Sequence, residues 1–138
     1  MELTFKSNGF MSAGCFNLTP REAASEVKYN DAIIVDIRSE SMVELKKFEV
    51  PLVIYIPFDE LKENYDNLPL DKPLIFADSE GLYSCEAVKF VQSKGFVNVA
   101  NLSGGLAEWE RNGLSVVISK TNQSNSPCPC QNQRKNRL

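Results

Sequence analysis

The sequence predicts an α/β protein of three layers, a mostly parallel sheet flanked by helices on both faces, and three observations carry that expectation. Apolar residues run unbroken through Ala32-Ile33-Ile34-Val35, Val53-Ile54-Tyr55-Ile56 and Leu74-Ile75-Phe76-Ala77, as in strands covered on both sides. Segments with helical spacing lie between them. The connections are too long for hairpins, so the strands return through crossovers and lie parallel.

Taken in order, residues 1–16 show no sustained periodicity and read as an N-terminal extension, with a short strand near Cys15 and Phe16. The domain spans residues 17–119. Its first helix opens where Thr19 caps, Pro20 suits the first helical position and Glu22 completes a capping box; Ala23, Ala24 and Val27 form its apolar face. The strand over 32–35 ends in Asp36-Ile37-Arg38, whose acid and base are placed to pair. Ser39 can cap a second helix over 40–47 with Met42 and Leu45 turned inward. Phe58, Leu61, Tyr65 and Leu68 recur at helical spacing after the strand closed by Pro57. A longer helix from Leu82 to Lys94 is stopped by Gly95, a strand follows over 97–100, and Gly104-Gly105 turns the chain into a short helix anchored by Trp109. Val116-Val117-Ile118 is available as a last edge. Residues 120–138 carry no apolar pattern and read as a polar, flexible tail.

Composition narrows the function classes. The chain has 138 residues, 43% of them hydrophobic and 24% charged, which suits one ordinary domain. A net charge of −3 gives no footprint for nucleic acid, although Arg134, Lys135 and Arg137 are locally basic. No apolar run approaches the roughly 20 residues that span a bilayer, so no membrane role is expected. Glu2, Lys6 and Asn8 interrupt any signal-like segment, and Ser12-Ala13-Gly14-Cys15 lacks the apolar stretch that a lipoprotein signal needs before it. A cytoplasmic protein is expected. The four cysteines do not form the pattern of a secreted disulfide framework.

The chain is organised around Leu74 to Cys85, where an apolar strand stops at Asp78, turns through Ser79-Glu80-Gly81 and opens into the helix starting Leu82-Tyr83-Ser84-Cys85. Backbone N–H groups of such a loop and helix start converge on one spot, which the helix dipole makes positive. An anion or a nucleophile belongs there, and here the residue is an acid.

Several motifs in this order make the chain similar to the rhodanese-like family. They are Asn17-Leu18-Thr19-Pro20-Arg21-Glu22-Ala23, Ile34-Val35-Asp36-Ile37-Arg38, Ile56-Pro57-Phe58-Asp59-Glu60-Leu61, Leu68-Pro69 with Lys72-Pro73, Gly95-Phe96-Val97-Asn98-Val99, and Leu102-Ser103-Gly104-Gly105-Leu106-Ala107-Glu108-Trp109. The resemblance implies a five-stranded mostly parallel sheet with the active-site loop after its fourth strand in sequence. In the active family that loop starts with a cysteine, has a glycine three residues later and often ends in arginine then serine. Gly81 and Ser84 match this pattern, while Asp78 falls on the cysteine and Tyr83 on the arginine. The family's histidine-containing run before the third strand reads Phe48-Glu49-Val50-Pro51-Leu52, and the chain has no histidine.

Sulfur transfer needs a polarisable thiolate that can hold a persulfide, and a carboxylate forms no comparable stable intermediate. A carboxylate also more than cancels the roughly half charge of a helix start. At about 4 Å it would repel an incoming anion by roughly 4 kcal/mol at an effective dielectric of 20. The resemblance therefore implies a sulfurtransferase homologue without its catalytic nucleophile, a binding or regulatory module in which Asp78 satisfies the loop amides itself. Asp78, Glu80 and Tyr83 could instead form an acidic mouth for a lysine or arginine of a partner protein. The alternative from another class is an enzyme that has relocated its cysteine to Cys85, Cys128 or Cys130, the candidates for a redox or sulfur-carrying role; a third reading is redox or metal sensing through Cys128 and Cys130. Cys85 reads otherwise as a small residue packed inward, and Cys128-Pro129-Cys130, even with Cys15, falls short of the four ligands of a closed metal site. No cofactor and no metal are expected.

Overall fold

In the computed structural model, which describes residues 5–119, six strands form the main sheet. They are β1 (Phe10–Ser12), β2 (Cys15–Leu18), β3 (Ile33–Asp36), β5 (Val53–Tyr55), β6 (Leu74–Ala77) and β7 (Val99–Leu102), in the spatial order β1-β2-β7-β6-β3-β5. All neighbours are parallel except β1 and β2, which form an antiparallel hairpin at one edge. The five parallel strands are those that the resemblance implies, and β1 is added outside them.

Period-two alternation sends each strand's side chains to two cores. Ile33, Val35, Leu74, Phe76 and Val99 face helices α3 (Leu61–Asn64) and α4 (Leu82–Ser93). Ile34, Ile75, Ala77, Ala100 and Leu102 face α1 (Pro20–Asn30) and α5 (Gly105–Arg111). Every residue of β3, β6 and β7 is buried, which explains why these strands read as continuous rather than alternating. At α1, the Thr19 side chain accepts from the Glu22 N–H while the Glu22 carboxylate accepts from the Thr19 N–H, the capping box that the sequence encodes.

Local expectations fail at the rim of the sheet. The second helix, α2 (Glu40–Leu45), is shorter than its pattern, and Met42 and Leu45 are exposed at 44% and 48% rather than turned inward. The chain instead straightens into β4 (Lys46–Phe48), which pairs with β8 (Val116–Ile118) in a separate antiparallel ribbon. This delivers Phe48 into the core edge-on to the Trp109 ring, with centroids 5.3 Å apart. The segment over 58–67 is broken into a 3-10 turn, the four residues of α3 and a second 3-10 turn, and only Leu61 of that stretch is buried. Val97 is exposed, so the strand begins two residues later than expected, at Val99.

Trp109 is 2% exposed, and its indole N–H donates to the Ser115 carbonyl at 2.9 Å. Trp109→Ala is expected to cost about 3–5 kcal/mol of unfolding free energy in urea titration, because it removes a large buried ring and leaves a cavity beside Phe48.

Candidate functional site

Strand β6 ends at Ala77, so Asp78 emerges from the carboxyl end of a central parallel strand, where ligand crevices of open α/β sheets lie. Its carboxylate turns back into the loop. One oxygen accepts from the Gly81 N–H, and the other accepts from the N–H of Tyr83 at 2.7 Å and of Ser84 at 3.3 Å. The side chain thus occupies the amide cradle and is buried, at 7% exposure. Gly81 is held at φ +90°, a conformation that glycine tolerates and that ends the turn.

The loop is also held from outside. The Asp78 and Ser79 carbonyls accept from the Leu106 and Ala107 N–H groups at 2.9 and 3.0 Å, so α5 begins against the loop backbone. Gly105 makes that approach possible, since a Cβ there would lie 2.5 Å from the Asp78 carbonyl oxygen. From beneath, the Ser84 hydroxyl bonds the Asn101 side-chain oxygen, and the Asn101 amide donates to the Asn17 side chain at 2.7 Å and to the Gly81 carbonyl at 3.5 Å. Asn17 and Asn101 are both 4% exposed, so β2, β7 and α4 share one buried polar network. Sequence reasoning missed this network. Its visible signal is Asn101 standing among apolar residues on the strand face that Val99 lines.

A hollow of about 270 Å³ opens over the loop, lined by Asp78, Glu80, Leu82 and Tyr83, with Arg38, Met42 and Phe58 opposite. Arg38 is its one basic lining residue, and that guanidinium is committed elsewhere. It is 6% exposed, donates through Nε and Nη2 to the two Asp36 oxygens at 3.0 and 2.8 Å, and donates to the Lys46 carbonyl at 2.8 Å. The expected Asp36–Arg38 pair therefore exists and is structural. Beside it, partial burial pushes the Tyr55 phenol above its ordinary range, with the Asp36 carboxylate adding to the shift and Arg38 opposing it. Tyr83 is 62% exposed and lies against Phe58, ring centroids 5.4 Å apart; Leu82 is 70% exposed and Glu80 faces solvent.

Cys85 is buried in the first turn of α4, but it is not the lone inward thiol that the sequence suggests. It forms a disulfide with Cys15 at the start of β2, across 70 residues of sequence, with Cα atoms 6.1 Å apart. Nothing in the spacing of four cysteines selects this pairing. Cys128 and Cys130 lie outside the described residues. Among the described residues, no group of three or more His, Cys, Asp or Glu side chains could hold a metal, and no helix is long and apolar enough to cross a membrane.

The family model of the rhodanese-like domain matches residues 19–112, most of the chain. This chain belongs to the rhodanese-like family. A sulfurtransferase of Allochromatium vinosum is 28% identical over 87 residues, covering 63% of this chain and 79% of that protein. A thiosulfate sulfurtransferase of Glaesserella parasuis is 25% identical over 101 residues, covering 73% and 92%. Among solved structures, a rhodanese-related protein of Thermoplasma volcanium superposes with a TM-score of 0.67 at 25% identity over 73% of this chain and 96% of that one. The rhodanese-like domain of an Anabaena protein, at 20% identity, shares the fold with the same TM-score and covers 88% of this chain and 90% of that domain.

Two outcomes follow from the geometry. Asp78→Ala leaves three loop amides without their acceptor and is expected to cost about 2 kcal/mol in urea titration, while opening the cradle to sulfate or thiosulfate, checked by anion-dependent thermal shift. Reducing the disulfide is expected to lower stability by about 2–4 kcal/mol, since the cross-link closes a long loop in the unfolded chain.

Proposed function

We propose that this rhodanese-like domain is catalytically silent and serves as a protein-binding or regulatory module in the cytoplasm. One observation carries the reading: the Asp78 carboxylate occupies the cradle of amides that would otherwise receive a substrate anion. Aligned with the family's loop pattern, Asp78 stands where the nucleophilic cysteine would, which supports a loop without its reacting atom. The electrostatics agree. A carboxylate fills the cradle, Glu80 adds a second at the rim, and the charge of Arg38, the one basic lining residue, is paired with Asp36.

The hollow suits a different kind of ligand. Leu82, Tyr83, Phe58 and Met42 present apolar surface beside carboxylates, which favours a partner segment carrying an apolar anchor next to a lysine or arginine. Burying one such side chain contributes about 1.5–3 kcal/mol, enough for a few to sustain specific binding.

The enzymatic alternative places the nucleophile at Cys85, Cys128 or Cys130. Cys85 is engaged with Cys15 and offers no thiolate in that state. The test is intact and peptide mass spectrometry after incubation with thiosulfate, alongside Asp78→Cys. An unmodified natural protein, with one sulfur atom gained at position 78 in the variant, is the expected result. A cyanide-reversible sulfur on a natural cysteine overturns the reading.

A further inference from the structure

We propose that Cys15 and Cys85 form a reversible redox site that controls the order of the Asp78 loop. The inference rests on the reading of that loop as a binding site, and it adds what regulates it. Cys85 lies one residue beyond Ser84 and two beyond Tyr83, the amides that hold one Asp78 oxygen. Cys15 lies two residues before Asn17, whose side chain accepts from Asn101 and donates to the Cys15 carbonyl at 2.9 Å. Asn101 in turn bonds Ser84 and the Gly81 carbonyl. The disulfide therefore closes a ring that runs from β2 through β7 to the loop and the first turn of α4. Opening the ring removes its one covalent link.

Both redox states are provided for. The Ala13 carbonyl lies 3.5 Å from the Cys85 sulfur and can accept from its thiol, and the Asn17 amide lies 3.8 Å from the Cys15 sulfur and can donate to a thiolate. Access is through the hairpin. All three residues of β1 are exposed, and register pairs join β2 to β7 only at Asn17 and Leu18, so the backbone at the Cys15 end of β2 pairs with β1 alone and is joined to the rest of the domain by the disulfide and by the packing of Cys15 and Phe16. Both cysteines are buried, Cys15 at 1% exposure and Cys85 at 7%, so attack follows an opening of the hairpin edge and falls on Cys85, the less covered residue. A dithiol reductant, small or protein, supplies the two electrons. Its thiolate attacks the Cys85 sulfur, the bond to Cys15 breaks, and Cys15 leaves as a thiolate beside Asn17 and takes a proton from solvent. The reductant's second thiolate then attacks its own sulfur in the mixed disulfide. This frees the Cys85 thiolate, which is protonated in turn, and leaves the reductant as a disulfide. In a cytoplasmic protein a disulfide is expected to be of this exchanging kind rather than a permanent staple.

The experiment uses the full natural chain in glutathione buffers of graded ratio, with a trace of dithiothreitol as the dithiol that carries electrons to the pair. Alkylation and peptide mass spectrometry report the state of Cys15 and Cys85, and amide hydrogen exchange reports residues 81–84 against β3 and β6. The expected result is a pair that interconverts within the glutathione range, with exchange at Tyr83 and Ser84 rising roughly tenfold on reduction while β3 and β6 remain the slowest amides even after the loss of global stability. A pair that stays oxidised throughout overturns the proposal, as does reduction that leaves residues 81–84 unchanged or that exposes the whole sheet together. A Cys15→Ser variant that keeps the native circular dichroism should exchange like the reduced protein in every buffer. Failure here is distinct from failure of the silent-site reading, which would appear as an added, cyanide-reversible sulfur atom rather than a two-electron change.

Discussion

The loop after β6 gathers backbone N–H groups with no strand or helix partner of their own, and the rest of the site depends on what accepts from them. Gly81, Tyr83 and Ser84 all donate to one carboxylate that belongs to the loop itself. Buried amides left unsatisfied are costly, so this choice fixes the loop's shape without any ligand. The surrounding features follow from that shape. Gly105 must lack a side chain because the loop carbonyls lie against the start of α5, and Asn101 must be polar because the Gly81 carbonyl and the Ser84 hydroxyl point down at it.

Charge and apolar surface at the mouth reinforce one another. Arg38, the one basic residue lining the opening, is held by Asp36 and by the Lys46 carbonyl inside the rim. Its Nε and Nη2 donors serve β3 and the start of β4, which ties it to the scaffold. With that charge neutralised, the carboxylates set the sign of the opening, and the exposed Leu82 and Tyr83 supply contact area. In the binding role proposed for this opening, apolar area gives affinity and the carboxylates select which partners can approach.

How far the sequence could be read depended on whether a residue's partner was near in the chain. The capping box of Thr19 and Glu22 and the buried runs of β3 and β6 are short-range signals, and all were legible. So was the Asp36–Arg38 pair, two residues apart. Met42 and Leu45 misled because a helical pattern says which side chains share a face but not whether anything covers that face, and at the rim of the sheet nothing buries it. Phe48 took the core position instead, because β4 pairs with β8 some seventy residues away. Of the site, the loop and its acid were legible from the strand-turn-helix pattern. The Asn17–Asn101–Ser84 network and the Cys15–Cys85 bond were not, since each joins segments that only the folded sheet makes neighbours.

Those long-range features share a location, and the location bears on their role. A cross-link whose effect was confined to unfolded-chain entropy could join any two long-separated positions with suitable geometry. This one joins the start of the hairpin's inner strand to the first turn of the helix whose N–H groups define the loop. Its native-state effect therefore falls on the region that also carries the buried polar network, where low dielectric makes each missing partner costly. The hairpin, peripheral in the sheet order, is by this bond a neighbour of the loop, so a change at that edge reaches Asp78 through two routes, the disulfide and Asn101.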